Sequence, residues 1–253
     1  MLKGETIMLK IKFIIIKAIG RFKKIIAGWA HPAQTTEIFF SGLANDNLHP
    51  EQVDGYIKKY GEKYIEKEKD LISSIILNLL HNKDNVLDIG CGTGRYLKTI
   101  RHMSLEIYPG GGYIRLYGID ISKSTIDRYT ANGLSDVTLS VADISKIRPF
   151  KEINFNLVYS ITVIEYIPFY LLNKTFKNIY SLLNKNGVFY LTFPHGKSIV
   201  NLIKNPGYTR YPVSYLSKKL KNVGFIIESS GLVLDDDSSK IGPGSYILAR
   251  KIL

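Results

Sequence analysis

Residues 86 to 94 read VLDIGCGTG, with glycine at positions 90, 92 and 94 directly after an aspartate. A strand ending in such a turn and opening a helix brings backbone N–H groups close to a ligand, because the missing side chains permit both the tight turn and the near approach. Asp88 then decides the charge of what can bind. A carboxylate ahead of the turn repels a pyrophosphate and attracts an ammonium group. Two phosphate loops fail on spacing as well. The dinucleotide fingerprint needs glycine or alanine three residues after its second glycine, where this chain has Arg95, and no Gly-Lys-Ser/Thr follows as a Walker loop requires. The ligand expected here carries a positive amine.

A second acidic residue closes the strand-like run YGIDIS at Asp120, the place where related nucleotide folds accept hydrogen bonds from ribose hydroxyls. With D-x-G-x-G-x-G ending the first strand, the segment resembles motif I of class I S-adenosylmethionine-dependent methyltransferases, whose ligand bears an amino acid amine and a sulfonium. The resemblance spans about residues 62 to 253. It implies S-adenosylmethionine as cofactor, with Asp88, Gly90, Cys91, Gly92 and Gly94 around the amino acid part and Asp120 and Ile121 at the ribose. Within VADI it implies that Asp143 accepts a bond from the adenine amino group while Ala142 and Ile144 flank the ring, and Ser160 of the fourth strand joins the set. Plain alternatives stand beside two of these roles: Asp120 as a helix cap, a job open to Ser122, and Asp143 as a turn aspartate. The gap from Gly94 to Asp120 exceeds the usual spacing of about twenty residues, which predicts an inserted loop at MSLEIYPGGGY.

Methyl transfer from a sulfonium is an in-line displacement in which positive charge disperses, so alignment and exclusion of water can supply much of the acceleration. An oxygen acceptor of high pKa gains from a general base as well. His195, in FPHG after the fifth strand, is a candidate for that base, and Glu165 and Tyr166 share the same sheet edge. In the family's small-molecule branch the stretch FNLVYSITVIEYIP usually ends Glu-His-Ile/Val-Pro; Tyr166 stands at the histidine's place, which puts histidine-based proton transfer there in doubt. Pro168 reads as a first-turn helix residue. Tyr56, Tyr60 and Tyr64, four residues apart, read either as an aromatic lid or as a packing stripe.

These residues must be positioned by an alternating framework. From Glu62 to Leu80, apolar residues recur at helical spacing; short β-rich runs then alternate with helical ones as far as VFYLTFP. Alternation of this kind predicts an α/β sandwich with a parallel sheet covered by helices on both faces. Pro212 to Val223 reads as a helix stopped by Gly224, and FIIESSGLVL and SYILARKIL follow with no helix between them, which predicts an antiparallel terminal hairpin. Together with the resemblance, this gives the expectation of a Rossmann-like methyltransferase sandwich of about seven strands over 62–253, preceded by a connecting or cap segment over 31–61.

Composition narrows the function classes. At 253 residues, 45% hydrophobic and 22% charged, the chain is ordinary for a globular protein with a sizeable core. One cysteine rules out an internal disulfide framework and fits a reducing cytoplasm, and five histidines in no ligand spacing give no reason to expect a metal. The net charge of +12 is uneven: seven lysines and arginines against one glutamate in the first 24 residues carry half of it. No apolar run in residues 7–30 is long enough to span a bilayer. On a helix, Lys3, Lys10, Lys17, Arg21 and Lys24 share one stripe and Met8, Ile11, Ile15, Phe22, Ile26 and Trp29 lie opposite. Residues 1–30 therefore read as a basic amphipathic helix, either lying on an anionic membrane surface or packed on its own domain or a partner. The membrane reading would make the protein peripheral on the inner face of the cytoplasmic membrane. Partners expected from the whole sequence are a small-molecule or lipid-linked acceptor, methylated on oxygen. A nucleic-acid methyltransferase and a noncatalytic cofactor-binding subunit are the alternatives; the first lacks an aromatic-basic RNA module and the Asn/Asp-Pro-Pro-Tyr/Phe signature. The membrane reading predicts that the full chain floats with anionic liposomes and that a version lacking residues 1–30 does not; equal flotation of the two refutes it.

Overall fold

The computed structural model describes residues 62–108, 114–131, 136–196, 209–233 and 244–252. The basic stretch over 1–30, the segment 31–61 and, with it, Tyr56 and Tyr60 lie outside them. In chain order the elements are α1 (Glu62–Leu79), β1 (Asn85–Ile89), α2 (Arg95–Ile107), β2 (Arg115–Asp120), α3 (Lys123–Ala131), β3 (Val137–Val141), β4 (Phe155–Ile161), a 3-10 turn (Ile164–Tyr166), α4 (Leu172–Leu182), β5 (Leu183–Pro194), α5 (Val213–Val223), β6 (Phe225–Leu232) and β7 (Gly244–Lys251).

The strands form a seven-stranded sheet in the order β3-β2-β1-β4-β5-β7-β6. Pairs β1·β2, β1·β4, β2·β3 and β4·β5 are parallel, while β7 runs antiparallel to both β5 and β6. The expected sandwich with an antiparallel terminal hairpin is what forms. Central strands are buried along nearly their whole length, as strands covered on both faces must be, whereas the edge strand β6, after its buried first residue, alternates exposed and half-buried positions. On one face Leu87, Ile89, Val158, Phe189 and Leu191 pack against Phe176 and Ile179 of α4 and Leu216 and Leu220 of α5. On the other, Val86, Leu116, Leu157, Tyr159 and Tyr190 pack with Ile72 and Ile76 of α1 and Leu97 and Ile100 of α2.

Two local expectations are corrected. Met103 to Ile107, read as inserted loop, continue α2, because Ile100 and Ser104 bury the inner face of one uninterrupted amphipathic helix. Pro168 is not in a helix: it accepts a bond from the N–H of Leu171 at 2.8 Å in a turn, and α4 begins only at Leu172.

Order reverses between β1, which leads outward to β2 and β3, and β4, which leads to β5. Open α/β sheets bind ligands at such a switch point, outside the carboxyl ends of the strands. Gly118 on β2 brings α2 close enough to shape that edge. A Cβ there would fall 2.8 Å from Leu139 Cδ2 and 2.9 Å from both Cys91 Sγ and Leu97 Cδ1. Gly118→Val, which overfills this contact, should lower the unfolding free energy by about 1–3 kcal/mol, read as a shift of the urea midpoint at unchanged slope.

Candidate cofactor and acceptor site

The glycine loop is built as its sequence demands. Gly90, Gly92 and Gly94 all adopt left-handed backbone, with φ of 74°, 53° and 79°. At Gly90 the constraint is also spatial, since a Cβ would lie 2.3 Å from Cγ2 of Val163, in the turn after β4. The loop is tied to β2 by bonds from the N–H groups of Gly90 and Cys91 to the carbonyl of Ile119, at 2.7 and 3.0 Å. Gly94 ends the loop and starts α2, its carbonyl accepting from Lys98 N at 2.9 Å.

Asp120, at the carboxyl end of β2, closes the other side. Its Oδ2 accepts from Gly92 N at 3.0 Å and its Oδ1 from Ser122 N at 2.9 Å. Burial raises its pKa, and the bonds from the Ser122, Gly92 and Ile121 N–H groups oppose that rise. Half-buried Ile121 follows it, and Ser122 caps α3, its Oγ accepting from Thr125 N at 3.3 Å.

Asp88 is 2% exposed, and its Oδ2 has no hydrogen-bond partner among the described residues. Burial holds its carboxyl well above the usual carboxylate range; hydrogen bonding from Tyr159 opposes this and the charge of Asp120 adds to it. The same two carboxylates, with burial as the larger cause, push the Cys91 thiol up. Asp88, Cys91 and Asp120 thus form one electrostatic unit around the loop.

The remaining sequence-derived residues divide. Asp143 follows β3 at the same sheet edge, yet its Oδ1 accepts from the N–H and Oγ of Ser145 at 2.9 and 2.6 Å and its Oδ2 lies 3.3 Å from Lys146 Nζ. Ala142, joined by its N–H to the Asp120 carbonyl at 2.9 Å, and Ile144 are both buried in the core. Ser160 is fully buried on the Val158 face of β4, opposite to Asp88 and Tyr159, with its Oγ lacking a partner among the described residues.

Beyond β4 and β5 lies the sheet edge that carries the candidate catalytic residues. Glu165 is buried and Tyr166 half-buried on the 3-10 turn. This turn is clipped to the segment before α5 by Thr209 N donating to the Glu165 carbonyl at 2.7 Å and by the Tyr211 hydroxyl donating to the Ile167 carbonyl at 3.0 Å. Half-buried His195 has its Nδ1 2.8 Å from Oγ of Ser245, a fully buried residue of β7. Ser245 and Tyr211 carry no motif; only strand pairing and burial bring them to this edge. Thr162 is a further residue the sequence does not announce. A β-branched residue at φ 54°, between the carboxyl end of β4 and Val163, holds about 1–3 kcal/mol of backbone strain.

A cavity of about 370 Å³ between Arg101, Arg115, Asp136 and Thr138 lies at the opposite, amino-terminal edge of β2 and β3. Its Arg101 is already committed to the Asp136 carboxylate at 2.6 Å and to the Ile114 and Asp136 carbonyls. This is not the glycine-loop site.

Residues 80–209, more than half of the chain, match a family model described as a methyltransferase domain. The chain belongs to the class I S-adenosylmethionine-dependent methyltransferases. Among the relatives of the chain is the phosphoethanolamine N-methyltransferase of Plasmodium falciparum, 30% identical over 157 residues, or 59% of the present chain and 54% of that protein. The chain therefore spans about half the length of that curated relative. Its fold is similar to that of the magnesium protoporphyrin IX methyltransferase of Synechocystis PCC 6803, solved with bound S-adenosylhomocysteine: TM-score 0.63, 16% identity, covering 87% of this chain and 99% of that one. It is also similar to the N-methyltransferase NodS of Bradyrhizobium japonicum WM9, at TM-score 0.63 and 13% identity over 85% of this chain and 98% of that one.

The residues present fit the family's cofactor, S-adenosylmethionine. A buried carboxylate oxygen lacking a donor complements an ammonium group, and a side-chain-free loop leaves room for the rest. In the free protein that same carboxylate is a burden. Because its folded pKa is raised, the anion destabilises the fold increasingly as pH climbs from the ordinary carboxylate range to the raised value, and fully above it. Asp88→Asn should therefore stabilise the free protein by about 1–3 kcal/mol well above that raised pKa, with the gain vanishing as pH falls through the usual carboxylate range, while the affinity for S-adenosylhomocysteine drops. Urea unfolding across pH, beside calorimetric titration, checks both signs.

Proposed function

We propose that this chain transfers the methyl group of S-adenosylmethionine to a small or lipid-linked acceptor. The observation that carries the reading is the buried, donor-poor Asp88 carboxylate beside the glycine loop. Asp88 receives the ligand's amine, the carboxylate of Asp120 faces the ribose hydroxyls, and the stretch from Ala142 to Ile144 borders the base. When bound, the cofactor supplies an electrophilic methyl group on a sulfonium. The protein's own part is to align the acceptor and keep water out, for which the rigid turn from Thr162 to Pro168, clipped by Thr209 and Tyr211, is suited.

For an oxygen acceptor, His195 takes the proton. With Nδ1 held by Ser245, its Nε2 is the nitrogen left for that task. A second reading, transfer to nitrogen, is favoured by the likeness to a phosphoethanolamine N-methyltransferase. An amine acceptor deprotonates more readily and asks less of a base.

The test pairs binding with turnover. Calorimetry with S-adenosylhomocysteine should show saturable binding, lost in Gly90→Ala because the added methyl meets Val163 at a backbone conformation alanine resists. Transfer of tritiated methyl groups is then measured to phosphoethanolamine and to hydroxyl-bearing small molecules and lipids. Labelled ether or ester supports the oxygen reading, labelled amine the nitrogen one. Binding without transfer to any acceptor in an extract of small molecules and lipids would mark a noncatalytic subunit and overturn the proposal.

A further inference from the structure

Asp88 is the end of a row. β1 and β4 pair in parallel with Asp88 opposite Tyr159, so the two side chains leave the sheet on the same face. Tyr190 of β5 stands opposite Tyr159 in turn, and Tyr246 of β7 lies beside Tyr190 with ring centroids 6.2 Å apart. The Tyr246 hydroxyl is 2.9 Å from Oγ of Ser229 on β6. Tyr159 and Tyr190 are fully buried. For packing beneath α1, phenylalanine at these two places would serve as well. A phenol sunk in the interior calls for a polar counterpart, and the one that strand register sets beside Tyr159 is the Asp88 carboxylate.

We infer that Tyr159 is a positioning residue for cofactor recognition, its hydroxyl donating to the Asp88 carboxylate so that the anion is held charged and oriented for the ammonium group of the ligand. The inference rests on the reading of Asp88 as the amine's partner. The groups that bear on Asp88 are Tyr159 from β4, Asp120 from β2 and Cys91 from the glycine loop. None of them is a cation, which leaves the Tyr159 phenol, opposite Asp88 on the same face of the sheet, as the group able to favour the anion. Recognition of the amine then depends on a residue that does not touch the ligand.

Ligand binding through an ionised Asp88 is complete above its pKa and is lost as pH falls through it. Tyr159→Phe removes a donor to the anion, raises that pKa further, and moves the loss of affinity to higher pH. The measurement is calorimetric titration of the full chain across pH with S-adenosylhomocysteine and with methylthioadenosine, which keeps the nucleoside and sulfur but lacks the amine. On the acidic limb the variant should bind S-adenosylhomocysteine roughly three- to tenfold more weakly than the parent, the effect of one hydrogen bond, with methylthioadenosine affinity changed by less than about twofold. In an Asp88→Asn background the same substitution should have no pH-dependent effect.

Should Tyr159→Phe fail to fold, 3-fluorotyrosine at position 159 keeps the shape with a stronger donor, and the acidic limb should shift the other way. Superimposable profiles for parent and variants, or equal losses for both ligands, overturn the inference. Absence of S-adenosylhomocysteine binding by the folded parent would instead overturn the reading of Asp88 on which it rests.

Discussion

Water solvates a carboxylate so well that burying one without a cation is among the costlier things a sheet can do. At the end of β1 this chain does so with Asp88, and then sets a second, half-buried carboxylate, Asp120, near enough to raise the first one's pKa further. No hydrophobic gain accounts for the pair. Part of the need of Asp120 is met by the N–H groups of Gly92 and Ser122; for Asp88 the inferred counterpart is the phenol of Tyr159, its neighbour across the strand pair. What remains unmet on Asp88 is what the amine of the proposed ligand would supply, and the surrounding elements hold that carboxylate in place.

The holding is done at several levels. The sheet order makes β1 and β4 neighbours, so the glycine loop and the turn after β4 converge, and Val163 fits against Gly90 with no room for a methyl between them. Asp120 is at once a candidate ligand and the clamp on the loop, since its Oδ2 takes the Gly92 N–H. Strain at Thr162 is kept in the same corner, which two bonds from the segment before α5 make rigid. The elements far from the loop are ordinary by comparison, packed in two apolar layers around a buried sheet.

Much of this was legible in the residues alone. The alternation of β-rich and helical runs dictated a covered parallel sheet, and the missing helix between the last two strands dictated their antiparallel pairing. Asp88, the three glycines and Asp120 announced themselves because a charge before a glycine turn has few explanations. Asp143 was equally visible as a residue, but local sequence does not say that Ser145 and Lys146 turn back on its carboxylate. What stayed hidden depends on contacts between distant segments. Tyr159 meets Asp88 only through strand register across some seventy residues, and Ser245 meets His195 from fifty residues away. The length of α2 is hidden for a related reason: the long gap from Gly94 to Asp120 points to an inserted loop over MSLEIYPGGGY, yet Ser104 is buried and the helix runs on through Ile107.

The lone thiol follows the same logic to a practical end. Cys91 lies in the glycine loop, nearly sealed from solvent, between two groups that oppose its ionisation. Peroxides and alkylating reagents act on thiolates, so this sulfur is chemically quiet in the folded chain. A cysteine introduced elsewhere on the surface is then the sole reactive handle for a fluorophore or spin label, and the native sulfur becomes an internal reporter of unfolding, modified only when the loop comes apart.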